Sequence, residues 1–144
     1  MSTDLNELYN EVIIKHLSNR DIVHNCKDMQ ITHSMRNCLC GDHITIGLNC
    51  EQDLIHDIKA NCSGCALSKA SASILLKSVT GLSAKQAGRQ IQMVNQFLID
   101  FQDNCALGEM VAFRGIHKFP MRKRCVFLPW QCLHELMQTH QLID

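Results

Sequence analysis

The spacing of the hydrophobic positions changes along the chain. Over 43–49, Ile44, Ile46 and Leu48 alternate with polar residues or glycine, directly after Asp42. A period of two predicts a half-buried strand with Asp42 at its start. Segments 54–60 and about 30–35 predict two further strands. The first half of the chain is therefore expected to contain a small antiparallel meander.

Residues 3–18, behind Ser2 or Thr3 as a cap, and residues 84–101 show the spacing of three and four that is typical of amphipathic helices. Small, helix-compatible residues predict a helix over 66–77, and a last helix is expected over about 122–139. Cys65 falls at the N-terminus of the helix over 66–77, where free backbone amides and the helix dipole favour a thiolate. Pro129 is expected to interrupt the last helix unless it lies in the first turn.

Strands followed by helices predict an α+β fold. We expect a small three-stranded antiparallel sheet with helices packed on one face. A chain of 144 residues fits a single domain over 1–144 whose core is large enough to fold without disulfides.

Composition narrows the possible partners. Fourteen basic residues balance fourteen acidic ones, so no overall charge favours nucleic acid or a membrane surface. The apolar runs are too short to cross a bilayer, and the acidic N-terminus lacks a signal-peptide pattern, so we expect a cytoplasmic protein. Nine cysteines, an odd number, favour metal binding or sulfur chemistry over a disulfide framework. Cys26, Cys50, Cys105 and Cys132 have no partner at ligand spacing and are interpreted as buried or incidental thiols.

Three short stretches offer candidate metal ligands. They are Cys40-Gly41-Asp42, Cys65 and Cys125, which together supply three thiols and one carboxylate. Zinc accepts thiolates and carboxylates in tetrahedral geometry, so this set could close one site if the fold brings its members together. Function would then depend on tertiary structure.

Those stretches also carry a family resemblance. The motifs NCLCGD at 37–42, CALSKASAS at 65–73 and FRGIHKFPMRKRCVFLPWQCL at 113–133 resemble the SufU-type branch of the IscU and NifU-like iron-sulfur assembly proteins. Sixty positions separate Cys65 from Cys125, which matches the SufU-like branch with its helical insertion, here at about 81–108. The scaffold branch has a histidine where this chain has Arg124.

The resemblance implies a zinc-dependent sulfurtransferase for iron-sulfur cluster assembly. Such a protein accepts persulfide sulfur from a pyridoxal-phosphate-dependent cysteine desulfurase of the SufS type and serves the downstream assembly machinery. By position, Cys40, Asp42, Cys65 and Cys125 would hold zinc, and Cys40 would receive the sulfur. Arg122 matches a family arginine that could steer the partner or stabilise negative charge at Cys40.

Two departures from the family pattern leave alternatives open. Cys38 replaces a usual proline and Cys62 a usual glycine, which creates Cys38-x-Cys40 and Cys62-x-x-Cys65. These pairs could form an all-thiolate zinc site, a redox pair or a sulfur relay, although the intact CGD motif favours Asp42 as the fourth ligand. A scaffold holding a transient iron-sulfur cluster and a structural zinc protein are the alternative functions. The basic residues between Arg114 and Arg124 suggest a face that docks an acidic patch of the desulfurase.

Overall fold

The computed structural model describes residues 10–37, 41–102 and 104–143. Its helices and strands follow one another along the chain as α1 (Glu11–His16), β1 (Ile31–Asn37), β2 (Asp42–Glu51), β3 (Leu54–Ser63), α2 (Ala66–Val79), α3 (Ala84–Asp100) and α4 (Lys123–Thr139). Short 3₁₀ segments cover Arg20–Ile22, Cys105–Lys118 and Pro120–Arg122.

The three strands form one antiparallel sheet in the order β1-β2-β3. Ile44, Ile46 and Leu48 have no exposed surface and point into the core, while the intervening positions of β2 are less buried or face the other side. Alternation therefore predicted the strands correctly, because only one face of the sheet is covered by the long helices. The predicted α+β class, with a three-stranded antiparallel sheet, is confirmed.

Two long helices cover the sheet and enclose the core. Helix α4 packs on β1 and β2, and α2 packs on β3 and on α4. Trp130 of α4 is fully buried, and its Nε1 donates to Ser71 Oγ of α2 at 3.0 Å. Helix α3, which lies within the predicted helical insertion, packs against α4. Among the helices described, none has the length and apolar character needed to cross a bilayer.

The ends of α2 agree with the sequence prediction. Cys65 is the N-cap residue, and the chain leaves the helix at Thr80 and Gly81, whose φ of +88° suits glycine. Helix α3 begins with a capping box in which Ser83 and Gln86 bond each other's backbone amides. The start of α3 is thus determined by local sequence.

The first predicted helix is wrong at Asn10. This residue is extended, with φ of −78° and ψ of 176°, and its side chain accepts from the amides of Val12 and Ile13. An asparagine side chain competes for amides in this way, so Asn10 caps the helix that begins at Glu11 and is not part of it. Ser2 and Thr3, the predicted caps, lie outside the described residues.

Pro129 does not interrupt α4, contrary to the prediction. The helix runs through it from Lys123 to Thr139, although Pro129 has no amide to donate to the carbonyl of Cys125, four residues earlier. The hydroxyl of Ser68, on α2, lies 3.1 Å from that carbonyl oxygen and shares its single proton between this carbonyl and the Asp42 carboxylate. A neighbouring helix thus supplies a donor that the proline lacks.

Candidate metal centre

Three of the predicted ligands converge at one end of the sheet. Asp42 begins β2, Cys65 caps α2 and Cys125 lies in the first turn of α4. One ligand atom from each, the two Sγ atoms and a carboxylate oxygen, lies within 4.8 Å of the others. Asp42 and Cys125 have no exposed surface, whereas Cys65 is partly exposed. The site is therefore open to solvent on the Cys65 side.

The carboxylate of Asp42 is held at both oxygens. The backbone amide of Cys65 donates to Oδ1 at 2.8 Å, and the hydroxyl of Ser68 donates to Oδ2 at 2.7 Å. An amide at a helix N-terminus is a natural donor to a carboxylate, because it has no partner within the helix. These contacts fix the orientation in which Asp42 faces the two sulfurs.

Gly64 allows this close approach. Its φ of +133° is reached easily only by glycine, and a Cβ there would overlap Asp42 Oδ1 and lie 2.9 Å from Asp42 Cα. Any larger residue at position 64 would displace the carboxylate. The glycine is therefore part of the site, although it offers no ligand.

Cys125 and Cys65 have further polar neighbours. The side-chain amide of Asn37 donates to Cys125 Sγ at 3.8 Å, and Ser68 Oγ lies 3.5 Å from Cys65 Sγ. Amide donors of this kind stabilise a thiolate. Ser68 therefore contacts all three candidate ligand residues, two through side-chain atoms and Cys125 through its carbonyl.

The donor set fits zinc. A tetrahedral zinc ion with bonds of about 2.3 Å to sulfur and about 2.0 Å to oxygen separates those two ligand atoms by about 3.5 Å. The distance from Cys65 Sγ to Asp42 Oδ2 is 3.8 Å. Two thiolates and one carboxylate also match the mixture of soft and hard ligands that zinc accepts. These three residues can fill three of the four positions.

The remaining predicted site residues lie elsewhere or are not described. Cys40, a predicted ligand and the predicted sulfur acceptor, lies outside the described residues, as does Cys38. Arg122 is exposed and ends the 3₁₀ segment Pro120–Arg122, directly before α4. Cys62 is 2 % exposed on the core face of β3 and does not belong to the Asp42–Cys65–Cys125 group.

The other described thiols are buried to different degrees. Burial raises the pKa of Cys62 to about 12, with the charges of Asp42 and Cys65 adding to the effect. Burial likewise raises the pKa of Cys132 to about 12, and it raises the pKa values of Cys26 and Cys50. Cys26 and Cys132 are core residues, and Cys50 is half-buried, so these thiols belong to the packing of the fold.

Sequence reasoning missed two residues of this site. Gly64 precedes the N-cap cysteine, and a glycine between a strand and a helix cap is a signal for an unusual backbone angle. Ser68 lies three positions after Cys65, one helical turn away, and so on the same face of α2. A buried serine next to a predicted ligand could have been recognised as its partner.

The chain belongs to the NifU-like N-terminal domain family, whose pattern matches residues 8–126. The resemblance to SufU-type members is confirmed. The chain is 29 % identical to "Zinc-dependent sulfurtransferase SufU" of Bacillus subtilis over 93 % of this chain and 92 % of that protein. It is 33 % identical to "Iron-sulfur cluster assembly scaffold protein IscU" of Streptococcus pyogenes, over 93 % of this chain and 85 % of that one.

Solved structures share the fold. One is a putative iron-sulfur cluster assembly scaffold protein for the SUF system from Fervidobacterium islandicum, with a TM-score of 0.85 and 24 % identity. That alignment covers 92 % of this chain and 98 % of the other. At this identity the likeness establishes the architecture alone.

Proposed function

We propose that this protein is a zinc-dependent sulfurtransferase of iron-sulfur cluster assembly, acting in the cytoplasm. It would accept persulfide sulfur from a pyridoxal-phosphate-dependent cysteine desulfurase of the SufS type and pass it to the downstream assembly machinery. The single observation that carries this proposal is the Asp42–Cys65–Cys125 group, a mixed donor set suited to zinc. The similarity to the Bacillus subtilis SufU supports it.

Cys40 completes the proposed ligand set and accepts the sulfur. Its position two residues before Asp42 keeps it within reach of the same site. Bound zinc would keep the Cys40 thiol deprotonated at neutral pH. The Cys40 thiolate attacks the terminal sulfur of the desulfurase persulfide, forming a new S–S bond. The bond from that sulfur to the desulfurase cysteine breaks, and the desulfurase cysteine leaves as a thiolate.

Asp42 suits a site that must exchange a ligand. A carboxylate binds zinc less tightly than a fourth thiolate would, so the coordination changes more easily when a partner arrives. Arg122 is exposed immediately before α4, near enough in sequence to Cys125 to meet a partner at the site. Its guanidinium would steer the desulfurase or stabilise negative charge at Cys40.

A groove beside the site supplies a docking surface for the desulfurase. It has a volume of about 790 Å³ and lies between β1, α3 and the start of α4. Among the described residues that line it, Arg36, Lys123 and Arg124 are basic and none is acidic. Met35 and Phe127 give it apolar walls. The groove therefore fits an acidic surface with an apolar side chain at its centre.

The decisive experiment measures cysteine turnover by the desulfurase. We expect zinc-loaded protein to stimulate turnover, and zinc-stripped protein and Cys40→Ser not to do so. Cys50→Ser is the matched control, because Cys50 is half-buried at the far end of β2. Mass spectrometry should find the added sulfur on Cys40. Full stimulation by Cys40→Ser would reject the proposed acceptor and leave a structural zinc protein as the better description.

A scaffold for a transient iron-sulfur cluster is the second candidate, because thiolates can also ligate iron and because the Streptococcus pyogenes relative carries that name. Purification without oxygen separates the two. About one zinc per chain and no visible chromophore would support transfer, whereas iron, sulfide and a visible chromophore would support the scaffold.

A further inference from the structure

Ser68 lies beside all three candidate metal ligands and is not a ligand itself. It has no exposed surface, and its hydroxyl lies 2.7 Å from Asp42 Oδ2, 3.1 Å from the Cys125 carbonyl oxygen and 3.5 Å from Cys65 Sγ. Ser68, itself on α2, therefore contacts candidate ligand residues of β2, α2 and α4.

The hydroxyl has one proton and two oxygen acceptors. The carboxylate is the stronger acceptor and the nearer one, so the bond to Asp42 dominates. Pro129 has no amide to offer the carbonyl of Cys125, and the Ser68 hydroxyl lies 3.1 Å from that oxygen. The Ser68 hydroxyl therefore contacts both the carboxylate of Asp42 and the backbone carbonyl of Cys125.

We propose that Ser68 is a positioning residue for the metal: together with the Cys65 amide it holds both oxygens of Asp42, so that this carboxylate occupies the fourth position and the protein retains zinc. Free rotation of Asp42 would withdraw Oδ2 from the two sulfurs. Partners of this kind that orient metal ligands typically contribute about 10- to 100-fold to metal affinity. The inference rests on the proposed function, because it assumes that the group binds zinc.

Helix α2 contains a matched control one turn further along. Ser71 is equally buried, and its hydroxyl donates to the carbonyl of Val126 at 2.5 Å, next to Cys125 in α4. It also accepts from Trp130 Nε1 at 3.0 Å. Ser71 therefore makes the same kind of contact between the same two helices but has no contact with Asp42. Removing either hydroxyl weakens the contact between α2 and α4, but only removal of the Ser68 hydroxyl frees the Asp42 carboxylate.

The test compares zinc-loaded parent, Ser68→Ala, Ser68→Thr and Ser71→Ala in competition with a chelator. We expect Ser68→Ala to bind zinc about 10- to 100-fold more weakly. Ser68→Thr, which keeps the hydroxyl, should stay close to the parent, and Ser71→Ala should change affinity less than about threefold. With cobalt(II) in place of zinc, Ser68→Ala should shift the visible d–d bands, because the geometry of the oxygen ligand changes. Ser71→Ala should leave those bands in place.

The proposal is overturned if Ser68→Ala keeps the parent's affinity and cobalt spectrum, or if Ser71→Ala weakens binding as much. Should Ser68→Ala fail to fold without metal, the rate of zinc release from protein purified in the zinc-bound form gives the same comparison. An Asp42→Asn background adds a further check, since Ser68→Ala should have no additional effect on affinity there. A parent that binds no zinc would instead contradict the proposed function.

Discussion

The backbone amide of Cys65 donates to Asp42 Oδ1 at 2.8 Å, and this bond joins the cap of helix α2 to the first residue of strand β2. Two candidate ligands therefore hold each other in place before any metal binds. The contact requires the backbone of Gly64 to pass directly beside the carboxylate.

Gly64→Ala should abolish tight zinc binding as well as lower stability. The positive φ alone should cost about 1–3 kcal/mol of unfolding free energy, and the added methyl group would also displace the Asp42 carboxylate. Gly81→Ala is the matched control, because Gly81 has φ of +88° but an added Cβ there meets nothing within 4 Å. Chelator competition and urea unfolding would measure both effects. Equal zinc affinity in Gly64→Ala and Gly81→Ala would contradict the role of Gly64 in allowing Asp42 to reach the site.

The choice between Asp42 and Cys62 as a ligand can be tested by removing each. Asp42→Ala should weaken zinc binding by at least about 100-fold, since losing a ligand costs no less than losing the partner of a ligand. Cys62→Ala should keep zinc and lose about 1 kcal/mol of stability through imperfect core packing. Zinc content and chelator competition, measured on both variants, show which of the two residues is the ligand. The reverse outcome would favour the all-thiolate site.

Ser68 and Pro129 should be energetically coupled through the carbonyl of Cys125. In the zinc-free protein, Ser68→Ala should cost about 1–3 kcal/mol of unfolding free energy, because buried polar groups lose a partner. In a Pro129→Ala background that cost should fall by about 1 kcal/mol, since the new amide at position 129 can donate to Cys125 O.

Urea unfolding of Ser68→Ala, Pro129→Ala and the double variant gives a double-mutant cycle that measures this coupling. Ser71→Ala should add independently to Pro129→Ala, because its acceptor is the carbonyl of Val126. Costs of Ser68→Ala and Pro129→Ala that sum within about 0.5 kcal/mol would show that the proline and the serine act separately.

Glu109 should make stability depend on pH in the acid range. The hydrogen bond from Lys15 and, after it, the one from His16 hold the pKa of Glu109 below its usual value. A lowered folded pKa adds stability above the unfolded pKa of about 4.3, and this contribution disappears as pH falls through the folded value. The pair with Lys15 is largely exposed, so the gain should be about 1 kcal/mol or less.

Glu109→Gln should therefore be less stable than the parent at neutral pH, and the two should converge in acid. Zinc-free protein is the right material, because acid also releases the metal. A difference in urea midpoint that grows as the pH is lowered would contradict this account of Glu109.

The basic groove should control the encounter with the desulfurase. Arg36→Glu together with Arg124→Glu should raise the protein concentration needed for half-maximal stimulation by about tenfold, and added salt should weaken the parent in the same direction. Lys85→Glu, an exposed change on α3 outside the groove, is the control. Zinc content should be unchanged in all variants. A double variant that stimulates at the parent's concentration would remove the groove from the docking surface.

The sheet and two of the helix starts could be read from the sequence because local patterns determine them. Alternation identified β2, and the change from polar to small helix-forming residues placed Cys65 at a helix cap. The extended conformation of Asn10 was missed because a hydrophobic period continues across it, while the side-chain bonds that cap α1 leave no trace in that period.

The site was only partly predictable for a different reason. Ligand chemistry and the family resemblance named Asp42, Cys65 and Cys125 as candidate ligands, and the structure brings their ligand atoms together. The contact between Ser68 and α4 spans 57 positions in sequence, and it reaches the carbonyl to which an amide at position 129 would otherwise donate. Such long-range partners are set by packing, which local propensity does not encode.

The described donors come from residues far apart in the order of synthesis, and the last of them, Cys125, is carried by the final long helix. A growing chain on the ribosome would expose Asp42 and Cys65 well before Cys125 emerges. If the group binds zinc as proposed, tight capture of the ion must wait until α4 has docked, so nascent chains that have not yet formed α4 would hold it only weakly.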